Sequence, residues 1–520
     1  MRVLGLKPGH DGAAALVEDG RLVFSLEGEK DGFPRHAVLS PSALLQAFEL
    51  MDGPPDVVAL GGWCKLMPGV GGDVGAGYTG LEPGSSRRVR LLGQPVDLFT
   101  SSHERSHLFM VAGMAPAAPL DECVILLWEG ELGAFYHWRE GGRRLERFPV
   151  LTQPGSRYVA LYGLADPAFP ASDADPPHDA AGKLMALAAF ADGEPPTPAE
   201  RDTVERLLAL ETLTPFDKRE LSDSCLYDCG LVTPPLQRAA AYMSERLFAT
   251  FHDAAARLLP TDLPLLITGG CGLNCEWNTR WRDCGLFSSV FVAPCANDSG
   301  SAIGTCLDAL ACCDEEPAIL WDVYSGAPFA FDVEPCDAGW EGADADSDAL
   351  AQVLLRGEVV AWIDGRAEIG PRALGHRSLL ASPLDAATRG RLNAIKRREA
   401  YRPVAPVCLA EDLGTWFEDP IDDPYMLYFS RVRTDRLPAV THVDGTARVQ
   451  SVRADGPSRL RGLLESFRDA SGAGVLCNTS LNPPGAGFFN TASEVFAYAA
   501  RNGIEHVVVD DRWYRRVGVT

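Results

Sequence analysis

His103-Glu104-Arg105-Ser106-His107 carries two imidazoles four residues apart. On a helix that spacing sets both rings on one face, where they can share a metal ion. With Glu104 between them the stretch is a literal H-E-x-x-H, the zinc-protease motif. The flanking residues point elsewhere. Ser101-Ser102-His103-Glu104 has the form of a capping box, with Ser101 at the cap and Glu104 three residues on. That places His103 in a first helical turn and gives Glu104 partly to capping, whereas a protease sets the motif well inside a helix with its glutamate over the metal. Glu129 stands where a third protease ligand would roughly fall, but it ends an apolar strand and leads into a hairpin. Asp298, in Asn297-Asp298-Ser299-Gly300 between a strand and a helix, is by itself an ordinary helix cap. Taken with His103, His107 and Glu129 it completes a set of two imidazoles and two carboxylates, suited to Fe2+, Mn2+ or Zn2+. The plain alternative is a pair of structural histidines.

A second group is basic. Arg366, Arg372 and Arg377 lie among glycines in GRAEIGPRALGHRSLL, and Lys396, Arg397, Arg398 and Arg402 crowd into KRREAYR. In an otherwise acidic chain such clustering is suited to gathering phosphate oxygens through charge-assisted bonds; a solvated basic face is the alternative. Arg448 and Asn478 are isolated polar residues in strand-like surroundings, as ligand contacts often are. Gly269-Gly270-Cys271-Gly272-Leu273-Asn274 is a glycine turn between strand and helix that would let backbone N–H groups approach a phosphate or adenosine. Lys183, ahead of an alanine-rich helix, could reach the same nucleotide or be an ordinary solvated lysine.

The elements that hold these residues follow from patterning. Val3–Leu6 is an apolar strand running into the polar turn Lys7-Pro8-Gly9-His10-Asp11-Gly12, and AAALVEDGRLVFSLE is a hairpin turning at Glu18-Asp19-Gly20. A helix begins after Ser40 with Pro41 at its first position, and Leu44, Leu45 and Phe48 share a face. Asp56–Trp63 is a further strand. The plan then recurs: Cys123–Glu131 is a strand, followed by a hairpin turning at Gly141-Gly142. Two strand–turn–hairpin units predict the duplicated core of an actin-like α/β fold. Thr197-Pro198-Ala199-Glu200 is a capping box, and Leu236, Ala240, Met243 and Leu247 mark the buried face of a long helix ending near Leu259. Residues 334–349 are acidic and aperiodic and are expected to form a linker or domain entry. A helix, the strand EVVAWIDG and the arginine-rich region follow from Leu350.

The bulk numbers set limits. The chain has 520 residues, long enough for two domains, and a formal net charge of -24 from 71 acidic and 47 basic residues. Such a surface repels nucleic acid and suits small-molecule substrates. Its 14 cysteines include no C-x-x-C pair and read as reduced thiols of a cytoplasmic protein, a zinc knuckle being the weaker alternative. The sequence has no apolar run long enough to span a membrane, and its beginning turns polar too soon for a signal peptide.

GHDGAAALV, SHERSH, GKLMALAAF, GGCGLNC, NDSGSAIG, GPRALGHRS, KRREAYRPVAPV and CNTSLN occur in this order along almost the whole chain. Together they resemble the antibiotic O-carbamoyltransferases, a family that includes the tobramycin and nodulation enzymes. The stretch KPGHDG through FPRH and the ERSH segment are most similar to members acting on 3-hydroxymethylcephems. The resemblance implies an actin-like domain over residues 1–335, like that of the tRNA threonylcarbamoyl-transfer protein, and a YrdC-like domain over 350–520. It implies that carbamoyl phosphate and ATP, with Mg2+, form carbamoyl-adenylate in the YrdC-like domain. The carbamoyl group then passes to a hydroxyl near a divalent metal, Fe2+ by resemblance with Mn and Zn as alternatives. His103, His107 and Asp298 correspond to metal ligands; Glu129 stands where the family usually has aspartate. His10 corresponds to the general base and Arg35 falls near a basic position touching the intermediate, though the local spacing differs. Arg372, Lys396, Arg402, Arg448 and Asn478 match the adenylation site. The expected acceptor is the hydroxymethyl of a cephem, with an aminoglycoside, nucleoside or macrolide hydroxyl, or tRNA threonylcarbamoylation, as alternatives. A monomer or homodimer is expected.

Overall fold

The strand Arg2–Lys7 organises the amino-terminal sheet. It pairs antiparallel with Ala13–Glu18 and parallel with Val57–Leu60. The full order is Arg21–Glu27, Ala13–Glu18, Arg2–Lys7, Val57–Leu60, Gln94–Thr100, Ser86–Leu91. The hairpin between the first two turns through Asp19 and Gly20, at φ 48° and 72°, as a tight two-residue turn requires. A second sheet repeats the arrangement. Cys123–Trp128 pairs antiparallel with Gly133–Arg139, which continues to Arg144–Pro149, and parallel with Pro264–Thr268, which continues to Ser289–Val292. The same order of hairpin, first strand and parallel neighbour in two sheets is the duplicated core of the actin-like fold.

The computed structural model describes residues 1–30, 34–63, 74–91, 93–191 and 193–517; Asp31, Gly32 and Phe33 of the amino-terminal stretch quoted above lie outside them. The chain divides into two compact units. The first comprises Met1–Pro119, Ala293–Thr441 and Thr446–Thr520; the second comprises Leu120–Val292 and His442–Gly445. The first unit also holds a mixed eight-stranded sheet running from Trp340–Asp344 at one edge to Gln450–Val452 at the other. Its strand Val360–Ile363 is buried throughout. Val360 and Trp362 pack toward Leu354 and the helix Ser458–Ser471, while Ala361 and Ile363 pack toward Val495 and Phe496. A strand covered on both faces reads as a continuous apolar run, which is why VAWI shows no alternation.

Three local expectations are corrected. The segment expected to be a linker contains the edge strand Trp340–Asp344, paired antiparallel with Arg512–Arg516; its acidic residues face solvent and Trp340 alone enters the core. In the helix Pro41–Glu49, capped by Ser40 as expected, the buried face is Ala43 and Ala47. Leu45 and Phe48 are exposed. The helix His103–Met114 is capped by Ser102, whose side chain accepts from the Arg105 N–H, and not by Ser101 with Glu104. The capping box at Thr197 and Glu200 is present as read, and Leu236, Ala240, Met243 and Leu247 are buried along Pro234–Leu258. The described cysteines are free, and among the described residues no helix is long and apolar enough to cross a membrane.

Candidate metal centre and basic cluster

Every residue of His103–His107 has an assigned place. The helix His103–Met114 packs on the helix Ser301–Cys312, and Gly304 makes the close approach possible: a Cβ there would stand 1.7 Å from the Ser106 carbonyl oxygen. Arg105 donates through Nε to Asp308 at 3.0 Å, and Ser101 Oγ donates to the same carboxylate at 2.6 Å. Ser106 Oγ lies 2.9 Å from Thr305 Oγ1. Glu104 accepts the Gly80 backbone N–H at 2.8 Å. Arg105 and Ser106 therefore fasten the helix pair, Glu104 fastens a loop, and His103 and His107 face Asp298.

Asp298 begins the short 3-10 turn Asp298–Gly300, which leads directly into Ser301–Cys312. Its Oδ1 lies 3.2 Å from His107 Nε2 and 3.7 Å from His103 Nε2. Its Oδ2 lies 3.2 Å from Lys7 Nζ. Burial opposes ionisation of Asp298, but Lys7, then His103 and His107, outweigh it and hold the carboxyl well below its ordinary range. Two buried imidazoles converging on one ionised carboxylate oxygen are a fit donor set for a divalent first-row metal. Glu129 belongs to the second unit. It is buried at the end of its strand, its N–H donating to the Leu132 carbonyl and its carbonyl accepting from Gly155, each at 2.8 Å.

His10 lies beside this set, with Nδ1 3.5 Å from Asp11 Oδ2 and 4.0 Å from Asp298 Oδ2. Aromatic rings wall the site. His10 stacks on His36 at 4.6 Å between centroids, Tyr78 stacks on His103 at 4.3 Å, and Lys7 Nζ sits 3.6 Å above the Trp63 ring. Lys7, Asp11, His36, Trp63 and Tyr78 had not been singled out. Lys7 and Asp11 share the turn of His10 and His36 follows Arg35, so adjacency to chosen residues was the available signal; Trp63 and Tyr78 carried none.

The basic cluster divides into structural and open members. Arg366 donates to the carbonyls of Val23, Ser325 and Gly326 at 3.0, 3.1 and 2.8 Å. Arg377 is fully buried and donates to the Asp364, Gly365 and His376 carbonyls. Both are clamps on backbone, which corrects the expectation that they gather phosphate. Lys396 is buried, its Nζ donating to the Ser480 and Asn482 carbonyls at 2.7 Å each. Burial, then the charges of Arg398, Arg35 and Arg402, pull its pKa far down. Burial likewise lowers Arg398, reinforced by Arg402 and Arg448. Arg35, Lys396, Arg398, Arg402 and Arg448 thus repel one another, and the Arg448 Nε is buried without a hydrogen-bond partner. An anion would relieve both conditions. Arg35, expected near a basic position touching the intermediate, is brought within electrostatic reach of Lys396 and Arg402.

The remaining candidates are placed as follows. Arg372 is half-buried in the loop after Gly370. Asn478 donates to the Ala373 carbonyl at 3.1 Å and to Gln450 at 2.8 Å, fixing that loop, while its Oδ1 is buried without a partner. In the second unit Gly269, at φ 91°, approaches the Trp128 backbone, and a Cβ there would stand 2.3 Å from the Trp128 carbonyl oxygen. Gly270 is open. Asn274 spends its Oδ1 capping the helix Cys275–Asp283, and Lys183 Nζ lies 5.8 Å from the Tyr162 ring centroid.

Comparison with known proteins defines the class. Residues 351–516 match the model for the carbamoyltransferase C-terminus and residues 239–307 that for the carbamoyltransferase N-terminus. With full-length relatives besides, the chain belongs to the carbamoyltransferase family and is an enzyme of that kind. It is 50% identical over 520 residues to the 3'-hydroxymethylcephem-O-carbamoyltransferase of Streptomyces clavuligerus, covering 99% of each chain. It is 49% identical to the protein of the same name from Amycolatopsis lactamdurans, again over 99% of each. Nodulation protein U of Bradyrhizobium diazoefficiens is 32% identical over 98% of this chain and 96% of that protein. Among solved structures, full-length HypF aligns at 10% identity and TM-score 0.32, covering 61% of this chain and 47% of its own.

Proposed function

We propose that the protein is an ATP-dependent O-carbamoyltransferase acting on the 3-hydroxymethyl group of a cephem in antibiotic biosynthesis, in the cytoplasm. The observation that carries this reading is the 50% identity, over 99% of both chains, to a 3'-hydroxymethylcephem-O-carbamoyltransferase. The donor is carbamoyl phosphate. Water cleaves it to carbamate and phosphate, and the carbamate oxygen attacks the α-phosphorus of Mg2+-bound ATP to give carbamoyl-adenylate and pyrophosphate, in a YrdC-like carboxy-terminal domain, residues 350–520, following an actin-like domain over 1–335.

Lys396, Arg402, Arg448 and Arg372 hold the phosphates, with Asn478 keeping the loop at Ala373 in place. Gly269, Gly270, Asn274 and Lys183 of the second unit are assigned to the nucleotide. Arg35, in electrostatic reach of the cluster, holds the intermediate's phosphate near His10. His10 accepts the acceptor's proton as its oxygen attacks the carbamoyl carbon, and AMP leaves. His103, His107 and Asp298 would hold Fe2+, or Mn2+ or Zn2+. Such an ion supplies Lewis acidity toward a phosphate or carbonyl oxygen. The chain's own part is to fix two imidazoles and an ionised carboxylate in one orientation through the Gly304 contact and the Arg105–Asp308 pair.

The test has two stages. Purified protein with ATP, Mg2+ and carbamoyl phosphate is expected to release pyrophosphate; adding a 3-hydroxymethylcephem is expected to yield its carbamate and AMP. Absence of carbamoyl-phosphate-dependent pyrophosphate from folded, metal-loaded protein refutes the donor half of the reading. Release without carbamate refutes the acceptor half.

A further inference from the structure

His36 has no part in the reaction as written, yet it is held as tightly as the residues that do. Its backbone is left-handed, at φ 63°. A non-glycine residue adopts that conformation only where its neighbours impose it. Here they do. The His36 N–H donates to Glu29 Oε2 at 3.1 Å, and its carbonyl accepts the Asp11 N–H at 3.4 Å. Its Nδ1 lies 2.8 Å from Asp11 Oδ1, and Asp11 Oδ2 accepts from Asn297 Nδ2 at 3.1 Å.

Asp11 is ionised at neutral pH. Burial works against this, but the hydrogen bond from His36 and the charges of His10 and His36 hold its pKa at about 2. The proton between the two therefore sits on Nδ1, and Nε2 is the ring nitrogen with no hydrogen-bond partner among the described residues. Burial draws the His36 pKa down, but the bond to Asp11 and its charge, against Arg35 and with Glu29, leave it raised. The ring lies parallel to His10, 4.6 Å between centroids and 11° between planes. Both rings keep an open edge, His36 at 30% and His10 at 34% side-chain exposure.

We propose that His36 recognises a carboxylate on the acceptor: with the acceptor hydroxyl at His10, the His36 Nε2–H donates to an anionic carboxylate borne by the neighbouring carbon of the same molecule. The inference rests on the reading of His10 as base and of a hydroxymethylcephem as acceptor. In a 3-hydroxymethyl cephem-4-carboxylate the hydroxymethyl and the carboxylate stand on adjacent ring carbons. Their oxygens are then a few ångströms apart, the separation of two stacked rings. The selected class is a hydroxymethyl group whose bearing carbon adjoins a carbon carrying a carboxylate, and acceptors without that carboxylate are disfavoured.

The test compares a 3-hydroxymethylcephem as free acid and as 4-methyl ester, with wild-type protein and with His36→Asn. Asparagine tolerates the left-handed backbone and can still donate to Asp11, but carries no charge. Wild type is expected to show a KM roughly ten- to a hundredfold lower for the acid than for the ester, as a lost charge-assisted bond implies. His36→Asn is expected to raise KM for the acid by a similar factor, with kcat less affected and little change for the ester. Equal KM for acid and ester in wild type overturns the proposal and needs no variant. So does a variant that weakens both acceptors alike. The ligand atoms of His10, Asp11 and His36 also lie within 4.8 Å of one another, so metal content is measured too. A second metal equivalent lost in His36→Asn overturns the proposal in favour of a metal role. Transfer to neither acceptor by wild type refutes the acceptor reading itself, and this inference with it.

Discussion

Lys7 Nζ lies 3.2 Å from Asp298 Oδ2, on the opposite carboxylate oxygen from the one that meets His107 and His103. The ammonium is fully buried and rests on the Trp63 ring, so it orients the carboxylate as well as keeping it ionised. Lys7→Met is expected to weaken metal binding roughly ten- to a hundredfold, the usual effect of removing a group that orients a ligand. Chelator competition with metal analysis measures it; unchanged affinity would show that the histidines alone set the site.

Glu104 is buried and accepts the Gly80 N–H. It is a structural acceptor and not a base over a metal. Glu104→Gln, which keeps an oxygen to accept that N–H, is therefore expected to keep its metal while losing about 1 kcal/mol of stability in denaturant titration. The wild-type protein is expected to leave casein intact. Casein cleavage that Glu104→Gln abolishes would restore the protease reading.

The two half-reactions are expected to separate by mutation. Arg402→Ala or Arg448→Ala removes positive charge from the anion site and is expected to lower pyrophosphate release on the order of 100-fold or more. His10→Ala is expected to retain pyrophosphate release and to lose carbamate formation by about 10²- to 10⁴-fold, the range of general-base catalysis. Parallel loss of both activities in His10→Ala would place that histidine in the first step.

The Asp11–His36 pair predicts a window of stability in pH. Asp11 is lowered from 3.8 to about 2, so its contribution is complete above pH 3.8 and lost as pH falls toward 2. His36 is raised above 6.5, so its contribution is complete below that pH and lost as pH rises through the raised value. The Tm difference between wild type and His36→Asn is expected to be greatest between those limits and to shrink on both sides. A difference independent of pH would mean that packing, and not charge, holds the ring.

Much of this was legible from local chemistry. The hairpins turning at Asp19-Gly20 and Gly141-Gly142, the strand Val360–Ile363 and the spacing of His103 and His107 on one helix depend on residues close in sequence, and these appear where the pattern put them. The failures are tertiary. Leu45 and Phe48 gave a plausible apolar face, but the face that is buried carries Ala43 and Ala47. Trp340 carried too weak a signal among acidic neighbours to reveal an edge strand, which gains its partner from Arg512–Arg516 far along the chain. Arg366 and Arg377 looked like Arg372, because nothing local shows that their targets are backbone carbonyls elsewhere in the unit.

The buried ammonium of Lys30 donates to the Glu368 carbonyl and, at 2.7 Å, to that of Gly370, beside the Glu27 carboxylate at 3.0 Å; Asn490 in turn donates to the Lys30 carbonyl. Glu27 and Lys30 therefore brace the arginine-rich loop, and His36, a few residues on, flanks His10. For protein engineering the consequence is a rule about where the chain can be cut. A chimera joined between residues 335 and 350 would pair this segment with a foreign loop and strand a lysine among acceptors it was not built for. Exchanges of acceptor preference are better made as cassettes that carry 27–36, 366–376 and 483–490 together.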